Sequence, residues 1–131
     1  MKISIIGTGQ IGGTLARRFT ALGHQVFIAN SRGLASLAEL ARETGATPVS
    51  VTEAAHSADV IIVTIPERNI TQLPADLFAG APDNVVVVDT GNYYPRQRDG
   101  RIDGIEDGAT ESRWVARQYG EKGLWRCQEL L

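Results

Sequence analysis

Cysteine is all but absent from this chain. Cys127 stands alone among 131 residues, which excludes a disulfide framework and a thiolate metal cluster. Excess positive charge is lacking too: 13 Lys and Arg against 15 Asp and Glu leave a formal net charge of −2. That balance gives no electrostatic footprint for nucleic acid. No apolar run approaches the ~18 residues needed to cross a bilayer, so no membrane partner is expected. The apolar pattern already begins at Ile3, leaving no room for a secretory leader, and a cytoplasmic location is the expectation. Histidine is scarce. His24 and His56 have no partner histidine at metal-ligand spacing and read as loop, helix-end or surface residues. A calcium loop starting at Asp99 fails as well, because Arg101 and Thr110 occupy the third and twelfth positions, where that template needs an oxygen ligand and a glutamate. No metal is expected.

What remains is an ordinary globular composition, 43% apolar and 21% charged, in a chain long enough for a single core. Its organising stretch is Gly7-Thr8-Gly9-Gln10-Ile11-Gly12-Gly13, which follows the apolar run Ile3-Ser4-Ile5-Ile6 and opens into a helical pattern. A glycine pattern is weak evidence alone, but strand before and helix after make it specific. Gly7 permits the tight exit from the strand. Gly9 lets the backbone approach a pyrophosphate, and Gly12 lets the helix pack closely on the strand. The amides and the dipole at the helix start would then face phosphates. A purely structural glycine turn is the alternative.

Ile11, Leu15, Phe19 and Leu22 recur at helical spacing, with Gly23 as a C-terminal cap. Gln25-Val26-Phe27-Ile28-Ala29 reads as a second buried strand, and the two strands with their helix make a βαβ unit of about 30 residues. An NAD site normally places Asp or Glu at the end of that second strand to hold the ribose 2′-hydroxyl. Here the residues are Asn30-Ser31-Arg32, and no carboxylate appears until Glu39. A carboxylate repels a 2′-phosphate, whereas the fork of Arg32 and the hydroxyl of Ser31 bind one. The expected cofactor is therefore NADP(H), the alternative being a solvated surface arginine.

Further along, Leu34, Leu37, Leu40 and Ala41 form an amphipathic pattern stopped by Gly45. Residues 47–51 read as a short strand, irregular or at a sheet edge because of Pro48. Thr52 is placed to cap an Ala-rich helix. Residues 60–65 and 85–88 are continuous apolar runs, as in the middle of a parallel sheet. Ligands in open α/β sheets lie beyond the carboxyl ends of the strands. Thr64-Ile65-Pro66 and Asp89-Thr90-Gly91-Asn92-Tyr93-Tyr94-Pro95 are thus placed to border the crevice. A bare turn at the former and a self-packed aromatic lid at the latter are the alternatives. Asp99-Gly100 and Asp103-Gly104 read as turn dipeptides of a hairpin or looped excursion. Residues 110–119 read as a final helix burying Trp114, Val115 and Tyr119, and the remaining dozen residues show no strand period. The whole reads as a single-domain α/β protein, a Rossmann-like doubly wound parallel sheet.

Three segments together, 5–13, Ala29-Asn30-Ser31-Arg32-Gly33 and 89–95, resemble the NADP-dependent oxidoreductases that use the deazaflavin coenzyme F-420. The resemblance covers residues 1–119, the expected NADP-binding domain. It leaves 120–131 as a short C-terminal tail, truncated or diverged, where family members commonly continue into an acceptor site and often a dimer. It implies that Thr8, Gly9, Gln10 and Ile11 hold the pyrophosphate and that Ser31 and Arg32 receive the 2′-phosphate; Gly7, Gly12 and Asn30 complete the expected cofactor-binding set. By the same likeness, Thr64, Ile65 and Pro66, with Thr90, Gly91 and Asn92, border the meeting place of nicotinamide and deazaflavin. The implied activity is hydride transfer between NADP(H) and a deazaflavin or related flavin-like acceptor. No catalytic acid or base is expected, since both cofactors carry their own reactivity. The partner is a small-molecule hydride acceptor or donor, and a homodimer is compatible with the likeness. Two other readings stay open: a non-catalytic NADP(H)-binding module, and an NADPH-dependent reductase of a flavin, imine or carbonyl.

Overall fold

The computed structural model describes residues 1–56, 58–74, 76–82, 84–91, 96, 99–108, 110–119 and 124–126. Strand β1 (Lys2–Ile6) leads into helix α1 (Gln10–Ala21) and strand β2 (Gln25–Ala29). A 3-10 turn at Leu34–Leu37 runs into α2 (Ala38–Thr44), followed by β3 (Thr47–Pro48), α3 (Val51–His56) and β4 (Val60–Val63). After a 3-10 segment at Glu67–Gln72 come β5 (Val86–Asp89), α4 (Asp103–Glu106), α5 (Glu111–Gln118) and β6 (Leu124–Arg126). The six strands form one sheet in the order β3-β2-β1-β4-β5-β6, every pair parallel.

Successive strand side chains point to opposite faces, so each strand feeds two cores. Ile3 and Ile5 of β1, Val26 and Ile28 of β2 and Ile62 of β4 pack with Ala16 of α1 and with Leu37. Ile6, Ala29, Ile61, Val63 and Val87 face the other way, onto Ala54 and Ala55 of α3 and Trp114 and Val115 of α5. Helices on both faces of an all-parallel sheet make the protein an α/β, Rossmann-like, doubly wound fold, as the sequence pattern implies. The chain direction of the crossovers reverses between β1 and β4, which opens a crevice beyond the carboxyl ends of those two strands.

Several local expectations are corrected. The buried stripe of α1 is Gly12, Gly13 and Ala16, with Leu15 and Phe19 only partly covered. Ile11 and Leu22 are 53% and 72% exposed. Small residues form the contact because the helix lies so close to the sheet. A Cβ on Gly12 would come 1.9 Å from the Gly7 carbonyl oxygen. Leu34 is exposed for a related reason: it begins a tight 3-10 turn whose inner residue is Leu37. The third strand is only Thr47–Pro48, at the sheet edge as its proline implies, and α3 already starts at Val51. Its cap is Ser50, whose Oγ accepts from the Glu53 amide at 3.1 Å, and not Thr52.

Asp103-Gly104 opens α4 instead of turning a hairpin. Gly104 packs against the Trp114 indole, where a Cβ would lie 2.7 Å from a ring carbon. Arg101 holds Asp103 and Asp107, each at 2.7 Å. Leu124–Arg126 pairs with β5 despite having no strand period of its own. Three residues are too few for a period to be read, and the strand is defined by the edge it joins. The final helix is as expected: Thr110 caps α5, accepting from the Arg113 amide at 3.2 Å, and Trp114, Val115 and Tyr119 are buried.

Candidate nucleotide site

Three strand ends are tied together where the glycine turn begins. The Gly7 amide donates to Ala29 O at 2.8 Å, and the Thr64 amide donates to Ile6 O at 2.8 Å. The Thr64 hydroxyl donates to Gly7 O at 2.7 Å. Gly7 has φ +101, a left-handed conformation that suits glycine, and a Cβ there would lie 2.7 Å from Thr64 O. Gly9, the helix N-cap, differs: a Cβ on it would meet no protein atom within 4 Å. The side facing away from the protein is therefore clear, and α1 has neither a side-chain cap nor an acidic residue in its first turn. The first amides of a helix lack intrahelical partners. Together with the dipole they form an anion seat that nothing in the first turn contests.

The loop after β2 is held to this turn by Asn30. Its Oδ1 accepts from the amides of Arg32 at 3.1 Å and Gly33 at 3.0 Å, an Asx turn. Its Nδ2 donates to Thr8 Oγ1 at 3.3 Å and to Ser36 Oγ at 2.9 Å. Ser36 in turn donates to Gly33 O at 2.7 Å. Both ends of the Asn30 amide are thus engaged within the protein. Its contribution is to fix the loop that presents Ser31 and Arg32, both exposed. No hydrogen bond or ion pair to another described residue occupies the Arg32 guanidinium.

A cavity of about 280 Å³ lies over the crevice, with Gly7 and Gly9 on its floor, Ser31 and Arg32 on one rim and Thr64, Ile65 and Pro66 on the other. The structure thus brings together Gly7, Thr8, Gly9, Asn30, Ser31, Arg32, Thr64, Ile65 and Pro66 around one space. Gly12 lies buried beneath it, while Gln10 and Ile11 stand exposed at the helix start. Thr90 is drawn to the end of β4, its amide donating to Val63 O at 3.1 Å, but neither it nor Gly91 lines the cavity. Asn92, Tyr93, Tyr94 and Pro95 lie outside the described residues. Arg32 is the only ionisable side chain on the cavity wall among the described residues.

Sequence reasoning missed Asn69, Gln72 and Leu73, which close the cavity from the 3-10 segment after Pro66. Their only signal was position, since they directly follow a strand that ends at the crevice. Asp89 was also missed as a structural anchor. It is 1% exposed, accepts from Tyr119 Oη at 2.6 Å and from the Gly91 amide at 2.7 Å, and so ties the end of α5 to the loop after β5. Hydrogen bonds to charged groups are among the stronger ones, so Tyr119→Phe is expected to cost about 1–3 kcal/mol. Urea denaturation of the two proteins measures this, and an unchanged midpoint would refute the anchor.

The surface beside the site carries an ion pair. Arg17 Nε and Nη2 of α1 donate to the two carboxylate oxygens of Glu43 at 3.0 and 3.2 Å. The hydrogen bond holds the Glu43 carboxyl below its ordinary range and raises the guanidinium of Arg17. Among the described residues, no helix is long and apolar enough to cross a membrane.

Residues 2–93 match the family model described as NADP oxidoreductase coenzyme F420-dependent. No curated protein matches the chain. Among solved structures, the hypothetical protein SMa0349 from Sinorhizobium meliloti is 30% identical, with TM-score 0.69 over 96% of this chain and 60% of that one. The 3-hydroxyisobutyrate dehydrogenase of Mycobacterium tuberculosis shares the fold at 20% identity, with TM-score 0.70 over 97% of this chain and 39% of that one. A reductive aminase from Aspergillus terreus, solved with NADPH4, cyclohexanone and allyl amine, shares it at 20% identity and TM-score 0.62, over 97% and 40% of the two chains. The chain thus spans less than two thirds of each of these relatives.

Proposed function

This chain belongs to the coenzyme F420-dependent NADP oxidoreductase family, and from that premise we propose that it binds NADP(H) across its crevice and serves hydride transfer to or from a deazaflavin or related flavin-like partner. The observation that carries the reading is the cavity itself, with a glycine floor open towards a ligand and the cation Arg32 on its rim. The residues present fit the dinucleotide. The open side of Gly9 and the amides of Gln10 and Ile11 would take the pyrophosphate. Ser31 and Arg32 would take the 2′-phosphate, and Ile11 and Ile65 would cover the apolar faces. Thr64 and Pro66 would border the nicotinamide end, and the family likeness alone is the ground for assigning Thr90, Gly91 and Asn92 to the same end.

When bound, the nicotinamide supplies the hydride. The protein's own task is to hold two rings in near contact and to keep water away from them. The transfer also consumes or releases one proton on the deazaflavin, which bulk water can supply or take up, so it asks for no positioned acid–base pair from the protein. The test mixes the purified protein with NADPH and the deazaflavin and follows absorbance. Oxidation of NADPH by the deazaflavin is the expected result. Binding without turnover makes the chain a nucleotide-binding module, and turnover with a free flavin, an imine or a carbonyl alone moves the acceptor to that class.

A further inference from the structure

A second, polar space adjoins the cavity. A groove of about 380 Å³ runs from the glycine turn along the outer side of α1, bordered by Gly9, Arg17, Arg32, Ser36, Glu39 and Glu43. Arg32 lies on the wall of both spaces, so whatever it grips can extend into the groove. The Arg17 guanidinium folds back along α1 towards the helix start. One of its terminal nitrogens lies 3.4 Å from where a Cβ of Gly13 would be, so the bare backbone there makes room for it. Among the described residues, the charged groups on the groove wall are two cations, Arg17 and Arg32, and two carboxylates, Glu39 and Glu43. Of these four, Arg17 and Glu43 are the ones paired with each other.

We propose that Arg17 is a second specificity-determining cation for the 2′-phosphate, held near the groove by Glu43 and shared with the phosphate when NADP(H) binds. This rests on the NADP(H) reading of the site. Both partners of the pair are 52% exposed, and an exposed ion pair of this kind is weak and easily opened. A phosphate monoester near pH 7 carries close to two negative charges on three acceptor oxygens, which match a planar guanidinium better than one solvated carboxylate does. The arrangement also solves a problem of sign. Glu39 and Glu43 line the same groove and would repel a phosphate held by Arg32 alone, and Arg17 offsets one of them.

The experiment titrates NADPH and NADH into the full chain, into Arg17→Ala and Glu43→Gln, and into the double variant. Arg17→Ala is expected to weaken NADPH about three- to tenfold and to leave NADH unchanged, as for one exposed charged contact. Glu43→Gln is expected to tighten NADPH about twofold or more, because it removes the competing carboxylate. The double variant should regain only part of the affinity lost in Arg17→Ala, since it removes the unpaired Glu43 carboxylate but restores no cation. A merely structural bridge would instead move both single variants in the same direction and for both cofactors. That result, or an unchanged NADPH-to-NADH ratio in Arg17→Ala, overturns the proposal. Arg32→Ala is measured alongside. If it lowers the ratio while Arg17→Ala does not, only the second cation is lost. If neither lowers it, the 2′-phosphate reading falls as well.

Discussion

Arg32→Ala is expected to weaken NADPH binding by about tenfold to a hundredfold and to leave NADH binding nearly unchanged. One charge-assisted hydrogen bond contributes roughly 1.5–3 kcal/mol, and 1.4 kcal/mol is a factor of ten in affinity. The selectivity follows from chemistry, because the two cofactors differ only in the 2′-phosphate. The structure adds a reason to expect the full effect. Arg32 is exposed, with no ion pair to another described residue, so no intramolecular bond has to be broken first. Its backbone is already fixed by the Asn30 Oδ1 contact at 3.1 Å, which lowers the entropy lost when the loop receives a ligand. Arg32→Lys should fall between wild type and alanine, keeping the charge but losing the two-pronged geometry. Isothermal titration with both cofactors measures all of this. Equal losses for NADPH and NADH would mean that Arg32 shapes the loop and does not read the phosphate.

The same loop shows what could be read from residue order and what could not. Asn30-Ser31-Arg32 was legible because the chemistry of a dinucleotide site demands a particular charge at the end of β2, and the demand is local. The clasp from Asn30 to Thr8 was not, since it joins residues of two different loops and depends on how β1 and β2 lie side by side. Strands β2, β4 and β5 announced themselves as apolar runs, and the alternation of two cores follows from their pleat. The buried face of α1 is not marked by the large apolar residues at helical spacing: Ile11 and Leu22 are exposed, and helix and sheet meet through glycine and alanine. Large side chains keep elements apart, and a close approach is written in small ones. The 3-10 segment after Pro66 left no periodic trace, since six residues are too few to show one. It is nonetheless one wall of the cavity.

Gly9 and Gly12 should separate binding from stability. The two glycines are a single turn apart yet face opposite ways. A Cβ on Gly12 would meet Gly7 O at 1.9 Å, the Thr64 hydroxyl at 2.8 Å and the Gly7 carbonyl carbon at 2.9 Å. Two of these atoms are backbone, in a turn already fixed by hydrogen bonds to β2 and β4, so the helix must back away from the sheet. Overpacking of this kind costs about 1–3 kcal/mol or more, and Gly12→Ala should lower Tm by roughly 5–15 °C. The displaced helix start also carries the anion seat with it, so NADPH binding should fall as well. Gly9→Ala meets no protein atom within 4 Å and has φ −70, which alanine adopts freely. Its cost to stability should stay below about 1 kcal/mol, the difference between glycine and alanine at a helix N-cap. Its methyl group would nonetheless stand where the pyrophosphate must come close, and NADPH affinity should drop by more than about tenfold. Thermal melts and titrations on the two variants distinguish the cases. A Gly9→Ala protein that melts normally and binds NADPH like wild type would show that the phosphates do not rest on this turn.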